Sequence, residues 1–178
     1  DDEVLDGKLP TYEWLHLHHE DFTGQYGKFW SSYRNASWYK AQVAEAEEMA
    51  SKHGFATVAE LKLAVTKKIR DFTVGGGFLF AMCSATDSYD IAMAADGTDI
   101  CEYMFDGDPI DPGAQAKLDF TKTFAFKDFN IEQNPMVYEV SSIDVDPISR
   151  NVTEENDLFA LNEFSAKWDV IPAILTQN

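Results

Sequence analysis

The apolar run Phe78-Leu79-Phe80-Ala81-Met82 stands between Gly75-Gly76-Gly77 and the turn-forming stretch Cys83-Ser84-Ala85-Thr86-Asp87. A run this short and this continuously apolar predicts a strand buried on both faces of a sheet. Helical patterns lie on either side of it. Upstream, Leu61, Val65, Ile69 and Phe72 recur at helical spacing behind Thr57-Val58-Ala59-Glu60, which has the form of a capping box. Downstream, Ile91, Ala92 and Ala95 mark the inward side of another helix. Strands that alternate with helices leave few folds open: the expected class is α/β, with a parallel sheet joined by a right-handed crossover.

The remaining elements follow from the same periodicities. Residues 12–19, Tyr-Glu-Trp-Leu-His-Leu-His-His, alternate like a strand. One face would carry Tyr12, Trp14, His16 and His18; Leu15, Leu17 and His19 would take the other. Glu20-Asp21-Phe22-Thr23-Gly24 reads as a polar loop leaving that strand. A helix is predicted over 37–52, with Val43, Ala46, Met49 and Ala50 along one side and Gly54 at its end. Residues 106–113 form a turn-rich loop, 118–131 suggest short phenylalanine-rich strands, 144–157 a polar loop, and 159–175 a return of apolar residues with Trp168 and Pro172 near a last strand. No repeat and no linker composition divides residues 1–178, which read as one domain.

Charge removes some functions. Thirty-one acidic residues against 14 basic ones give a net charge of −17, and no Lys/Arg cluster is present to bind phosphate. Nucleic acid is therefore excluded as a partner. The acidity suits a solvated surface in salty or calcium-containing surroundings. No stretch approaches the ~20 apolar residues of a membrane span. Two cysteines, Cys83 and Cys101, in unlike contexts predict free thiols and no disulfide framework.

Cys83 is the first candidate for chemistry. A strand that runs through a tight turn into a helix presents one side chain at the carboxyl end of the sheet, where open α/β folds keep their sites. The backbone N–H groups of Ser84 and Ala85 would serve an oxyanion there, and the helix N-terminus would favour a thiolate. Ala81 and Ala85 supply the small residues that an elbow needs on either side. An inert core thiol is the competing reading of Cys83. The second candidate is the histidine segment. His16, His18 and Glu20 have the residue types for a divalent metal such as zinc, and His18 or His19, oriented by Glu20, has those for a base that activates Cys83. Asp106, Asp108 and Asp111 offer oxygen atoms to calcium without the full ladder of a calcium loop. Asn35-Ala36-Ser37 and Asn151-Val152-Thr153 fit the glycosylation triplet.

Residues 76–87 (Gly-Gly-Phe-Leu-Phe-Ala-Met-Cys-Ser-Ala-Thr-Asp), 14–29, 105–109 (Phe-Asp-Gly-Asp-Pro) and 164–168 (Phe-Ser-Ala-Lys-Trp) together resemble a family of secreted Bacteroidota proteins labelled "asparagine synthetase B". The resemblance extends over nearly the whole chain. It implies a doubly wound, flavodoxin-like fold of the class I glutamine amidotransferase type, related to the ThuA-like proteins of trehalose utilisation. It also implies a longer parent protein, of which this chain is a central piece incomplete at both ends. The expected location is periplasmic, outer-membrane-associated or extracellular. The label does not transfer as an activity. Asparagine synthetase uses an N-terminal cysteine and a Ser-Gly-Gly-x-Asp-Ser loop, and neither is in this sequence. Class I amidotransferases pair the elbow cysteine with a later His-x-Glu, whereas all four histidines here precede Cys83.

Three functions fit these residues: a non-catalytic binding or accessory component with a protein or small-molecule partner in the cell envelope; a cysteine-dependent amidase; and a metal-dependent hydrolase built on His16, His18 and His19. The first is the leading expectation.

Overall fold

The computed structural model describes residues 1–143. The sequence features at 144–157, 159–175, Asn151 and 164–168 lie outside the described residues. In chain order the elements are α1 (Asp2–Leu5), β1 (Trp14–His18), α2 (Trp30–Tyr33), α3 (Ser37–Lys52), α4 (Val58–Val74), β2 (Phe78–Met82), α5 (Ser84–Ala94), α6 (Tyr103–Asp106) and α7 (Ala114–Lys117). Among the described residues the sheet is the parallel pair β1–β2, in the register Trp14 with Phe78, His16 with Phe80 and His18 with Met82. The architecture is mixed α/β. No helix among the described residues is long and apolar enough to cross a membrane.

Local chemistry explains the long helices. Thr57 caps α4 by accepting the Glu60 N–H at 3.1 Å, and Glu60 reaches back to the Ala56 N–H at 2.9 Å. The box is reciprocal, displaced by one residue from its usual partner. Leu61, Val65 and Ile69 of α4 are buried, as their spacing requires. Helix α3 ends at Lys52, and Gly54 follows with φ of 78°. Helix α5 departs from amphipathic form: every residue from Asp87 to Ala94 is buried. It is the central post of the fold. Leu17, Phe22, Val65, Ile69, Ala85, Tyr89 and Met93 share one core, with Leu15, Leu79 and Ala81 packed against it.

Two expectations are corrected. β2 is covered on one face only; Phe78, Phe80 and Met82 are exposed, with Phe78 at 54% and the neighbouring Trp14 of β1 at 61%. Helices α4 and α5 cover the Leu79/Ala81 face, so the other face of the pair is open. The phenylalanine-rich residues 118–131 are not strands. Their backbone is used otherwise: the N–H groups of Phe124, Ala125 and Phe126 all donate to the buried Asp90 carboxylate, each at 2.7 Å. Three charge-assisted bonds to one anion replace the ladder that a strand would need. Leu118, Phe120, Phe126 and Ile131 then pack round Phe129 and Ile91.

The loop after β1 is also far from a solvated linker. Residues 22–26 are buried, and Asp21 organises them by accepting from Thr23 N–H (2.8 Å), Thr23 Oγ1 (2.6 Å) and Gly27 N–H (2.6 Å). Gly24 is required there. Its φ is 82°, and a Cβ would come within 2.7 Å of the Ala59 backbone.

Candidate functional site

Cys83 is exposed and has φ of 55° and ψ of −141°, with β2 ending at Met82 before it and α5 beginning at Ser84 after it. This is a backbone region that a residue with a Cβ enters only at a cost of roughly 1–3 kcal/mol. Tertiary packing holds it there. Ala85 is fully buried, Ala81 packs against the core, and Cys83 O accepts from the Thr86 N–H at 3.0 Å and from Thr86 Oγ1 at 2.6 Å. The turn is therefore an elbow in backbone form, and Cys83 lies exposed on it and not in the core. The N–H groups of Ser84 and Ala85 belong to the first turn of α5, where no intrahelical acceptor exists for them.

β1 ends in the same way. His19, the residue after the strand, also has a positive φ, of 61°. His18 and Met82 are register partners in a parallel pair, so His19 and Cys83 leave the sheet side by side at its carboxyl end. The strand alternation placed His19 on the leucine face. The left-handed backbone instead turns it outward, with its ring centroid 3.7 Å from that of His18. The Glu20 carboxylate, expected to orient a histidine or to bind a metal, is engaged elsewhere: it accepts from Lys62 Nζ at 3.2 Å, and the same ammonium meets Asp1 at 2.8 Å.

His16 and His18 share the open face of the pair, as the alternation predicts, with ring centroids 6.2 Å apart. A third group beside them, Met82, is not foreshadowed by any local pattern. Met82 Sδ lies 3.2 Å from His16 Nε2, across 66 residues of chain. Trp14 stacks on His16 at 6.3 Å, and Phe80 lies 5.2 Å from it.

The acidic loop is arranged differently from expectation. Asp111 pairs with Lys117 at 2.9 Å and also accepts from the Asp99 N–H. The oxygen and sulfur atoms that converge, all within 4.8 Å of one another, are those of Asp99, Cys101 and Asp106. They line a cleft of about 410 Å³ together with Phe22, Thr57 and Glu60. Burial, reinforced by the negative charges of Asp99 and Asp108, pushes the Asp106 carboxyl up to about 6. Burial also raises Asp99, and it drives the Cys101 thiol well above its ordinary range.

Lys28 is a buried charge that sequence reasoning passed over. It sits at φ of 53° and donates to the carbonyls of Glu132 (2.7 Å) and Glu139 (2.9 Å). Burial lowers its proton affinity, and the charges of Glu132, Glu139 and Asp21 oppose that shift. Its two acceptors give it a structural task, tying residues 132–139 to the loop after β1.

Protein-family models, curated proteins and solved structures were compared with this chain, and none matches it.

Proposed function

We propose that the chain carries a cysteine nucleophile, Cys83, for acyl transfer from an amide or ester. The observation that carries this is the exposed thiol at an elbow with φ of 55°, beside a histidine whose backbone is also left-handed. Two such residues side by side at the carboxyl end of a parallel pair are costly, and strain of this kind gathers at sites that use it. In the proposed reaction Cys83 Sγ attacks the substrate carbonyl while His19 takes the thiol proton. The N–H groups of Ser84 and Ala85 donate to the oxyanion. The tetrahedral intermediate expels the amine or alcohol, which leaves with the proton from His19. Water, deprotonated by the same imidazole, then releases the acid. His18, in close tilted contact with His19, holds the ring in place where a carboxylate would otherwise orient it. The β1–β2 pair would be part of the doubly wound sheet that the amidotransferase resemblance implies.

The test is the rate at which iodoacetamide modifies Cys83 at pH 7, read by peptide mass spectrometry. The expected rate exceeds that of an unstructured cysteine peptide by about tenfold or more and falls in His19→Gln. A p-nitrophenyl ester should give a burst of one equivalent from wild type and none from Cys83→Ser. A rate equal to that of the peptide and unmoved by His19→Gln would sink the proposal. The open face with Trp14, Phe78 and Phe80 favours a second function, a binding component with a partner in the envelope. An inert Cys83 leaves that one standing.

A further inference from the structure

We propose that His16, His18 and Met82 form a binding site for a soft monovalent cation, copper(I). The three side chains come from the two paired strands and lie on the same open face. Alternation brings His16 and His18 together. Register sets Met82 opposite His18, and its thioether reaches diagonally back to His16.

The spacing suits a single ion. With metal–nitrogen and metal–sulfur bonds of about 2.0 and 2.3 Å, ligand atoms at a tetrahedral angle are about 3.5 Å apart. His16 Nε2 and Met82 Sδ are already 3.2 Å apart, a few tenths of an ångström from that value. An imidazole bound through Nε2 has its centroid about 3 Å from the ion, so two rings at the same angle on one ion have centroids about 5 Å apart. His16 and His18 stand at 6.2 Å, and a rotamer change of the exposed His18 side chain brings its ring the remaining ~1 Å closer.

The ligand set decides the ion. Two neutral imidazoles and a thioether carry no charge and only soft or borderline donors. Calcium and magnesium need oxygen, and the one nearby carboxylate expected to help, Glu20, is engaged by Lys62. A thioether selects copper(I) over zinc. Trp14 and Phe80 flank His16 and form an apolar wall on that side, while the exposed face admits the ion. The scaffold is a hydrogen-bonded strand pair, which holds ligands more firmly than a loop. The site shares His18 with the acyl-transfer proposal but uses neither Cys83 nor His19, so copper binding by a Cys83→Ser protein is read apart from that chemistry.

The experiment is an anaerobic titration of the Cys83→Ser protein with copper(I), in competition with a chromogenic copper(I) chelator. Replacing Cys83 removes an accessible thiol that would bind copper by itself. The protein should take up one equivalent. Met82→Leu, a nearly isosteric change at an exposed position, should weaken binding by at least about tenfold while the circular dichroism spectrum stays unchanged. His16→Asn should weaken it at least as much. X-ray absorption should show a sulfur scatterer that disappears in Met82→Leu. No uptake of copper(I), or an affinity that Met82→Leu leaves unchanged, overturns the proposal.

Discussion

Cys83 and Cys101 carry the same thiol in opposite surroundings. Cys83 projects from an elbow at the carboxyl end of the sheet, held in a backbone conformation that costs energy and open to solvent. Cys101 is 0% exposed, donates from Sγ to the Thr23 carbonyl at 3.3 Å, and packs with Tyr26, Tyr39, Leu61 and Phe105. Burial and the nearby Asp106 and Asp99 charges keep its proton on. The contrast shows that a cysteine's role here is set by where the backbone delivers it. One region stores strain to expose a side chain, and the other stores desolvation to hide one.

Differential alkylation of the native protein separates the two thiols. Cys83 should react at least about a thousandfold faster than Cys101, because Cys101 becomes accessible only through local or global opening. Comparable rates, read by peptide mass spectrometry, would erase the distinction. A second experiment asks what Cys101 contributes to the fold. Cys101→Ala should destabilise the protein by about 2 kcal/mol, since it empties part of a packed site and leaves the buried Thr23 carbonyl without its donor. Urea denaturation measures this, and a neutral result would mean that the surroundings collapse round the gap.

Asp106 holds its proton up to about 6 when folded, above the ordinary carboxyl range of about 3.9. The folded state therefore binds the proton more tightly than the unfolded one. Stability on this account is fully present below about pH 4 and falls as pH rises towards 6. Asp106→Asn should raise the urea midpoint at pH 8 and leave it unchanged at pH 4; equal midpoints at both values would remove the acid from the stability balance. The smallest effect belongs to the elbow. Cys83→Gly should stabilise the fold by about 1 kcal/mol, because glycine relieves the positive φ, although added freedom in the unfolded chain offsets part of the gain. A destabilised Cys83→Gly would mean that the elbow is unstrained, and the opposite signs expected at the two cysteines would be lost.

Much of the local structure was legible in the residues. Helix α3 falls at Ser37–Lys52 because apolar positions recur at its period and Gly54 stops it. Helix α4 starts where Thr57 and Glu60 can cap it, and β2 stops where Cys83 begins the turn. Each of these signals lies within a few residues of the structure it specifies. Residues 118–131 show the limit. Their aromatic pattern suits a strand, and only the distant Asp90 carboxylate, competing for three backbone donors, prevents one.

The candidate site divides in the same way. By itself the sequence determined the helix boundaries, the strand–turn–helix at Cys83 and the shared face of His16 and His18, since propensity, capping and side-chain alternation act along the chain. Tertiary structure alone decided that one face of the strand pair is open, that Glu20 is engaged by Lys62, and that Met82 stands against His16. It also decided that Cys101 is hidden while Cys83 is exposed. Those outcomes depend on which distant groups compete for the same neighbours: a carboxylate goes to the nearest ammonium, and a thioether lies wherever register sets its strand. A linear pattern carries the preference of each residue but not the partner that packing assigns to it.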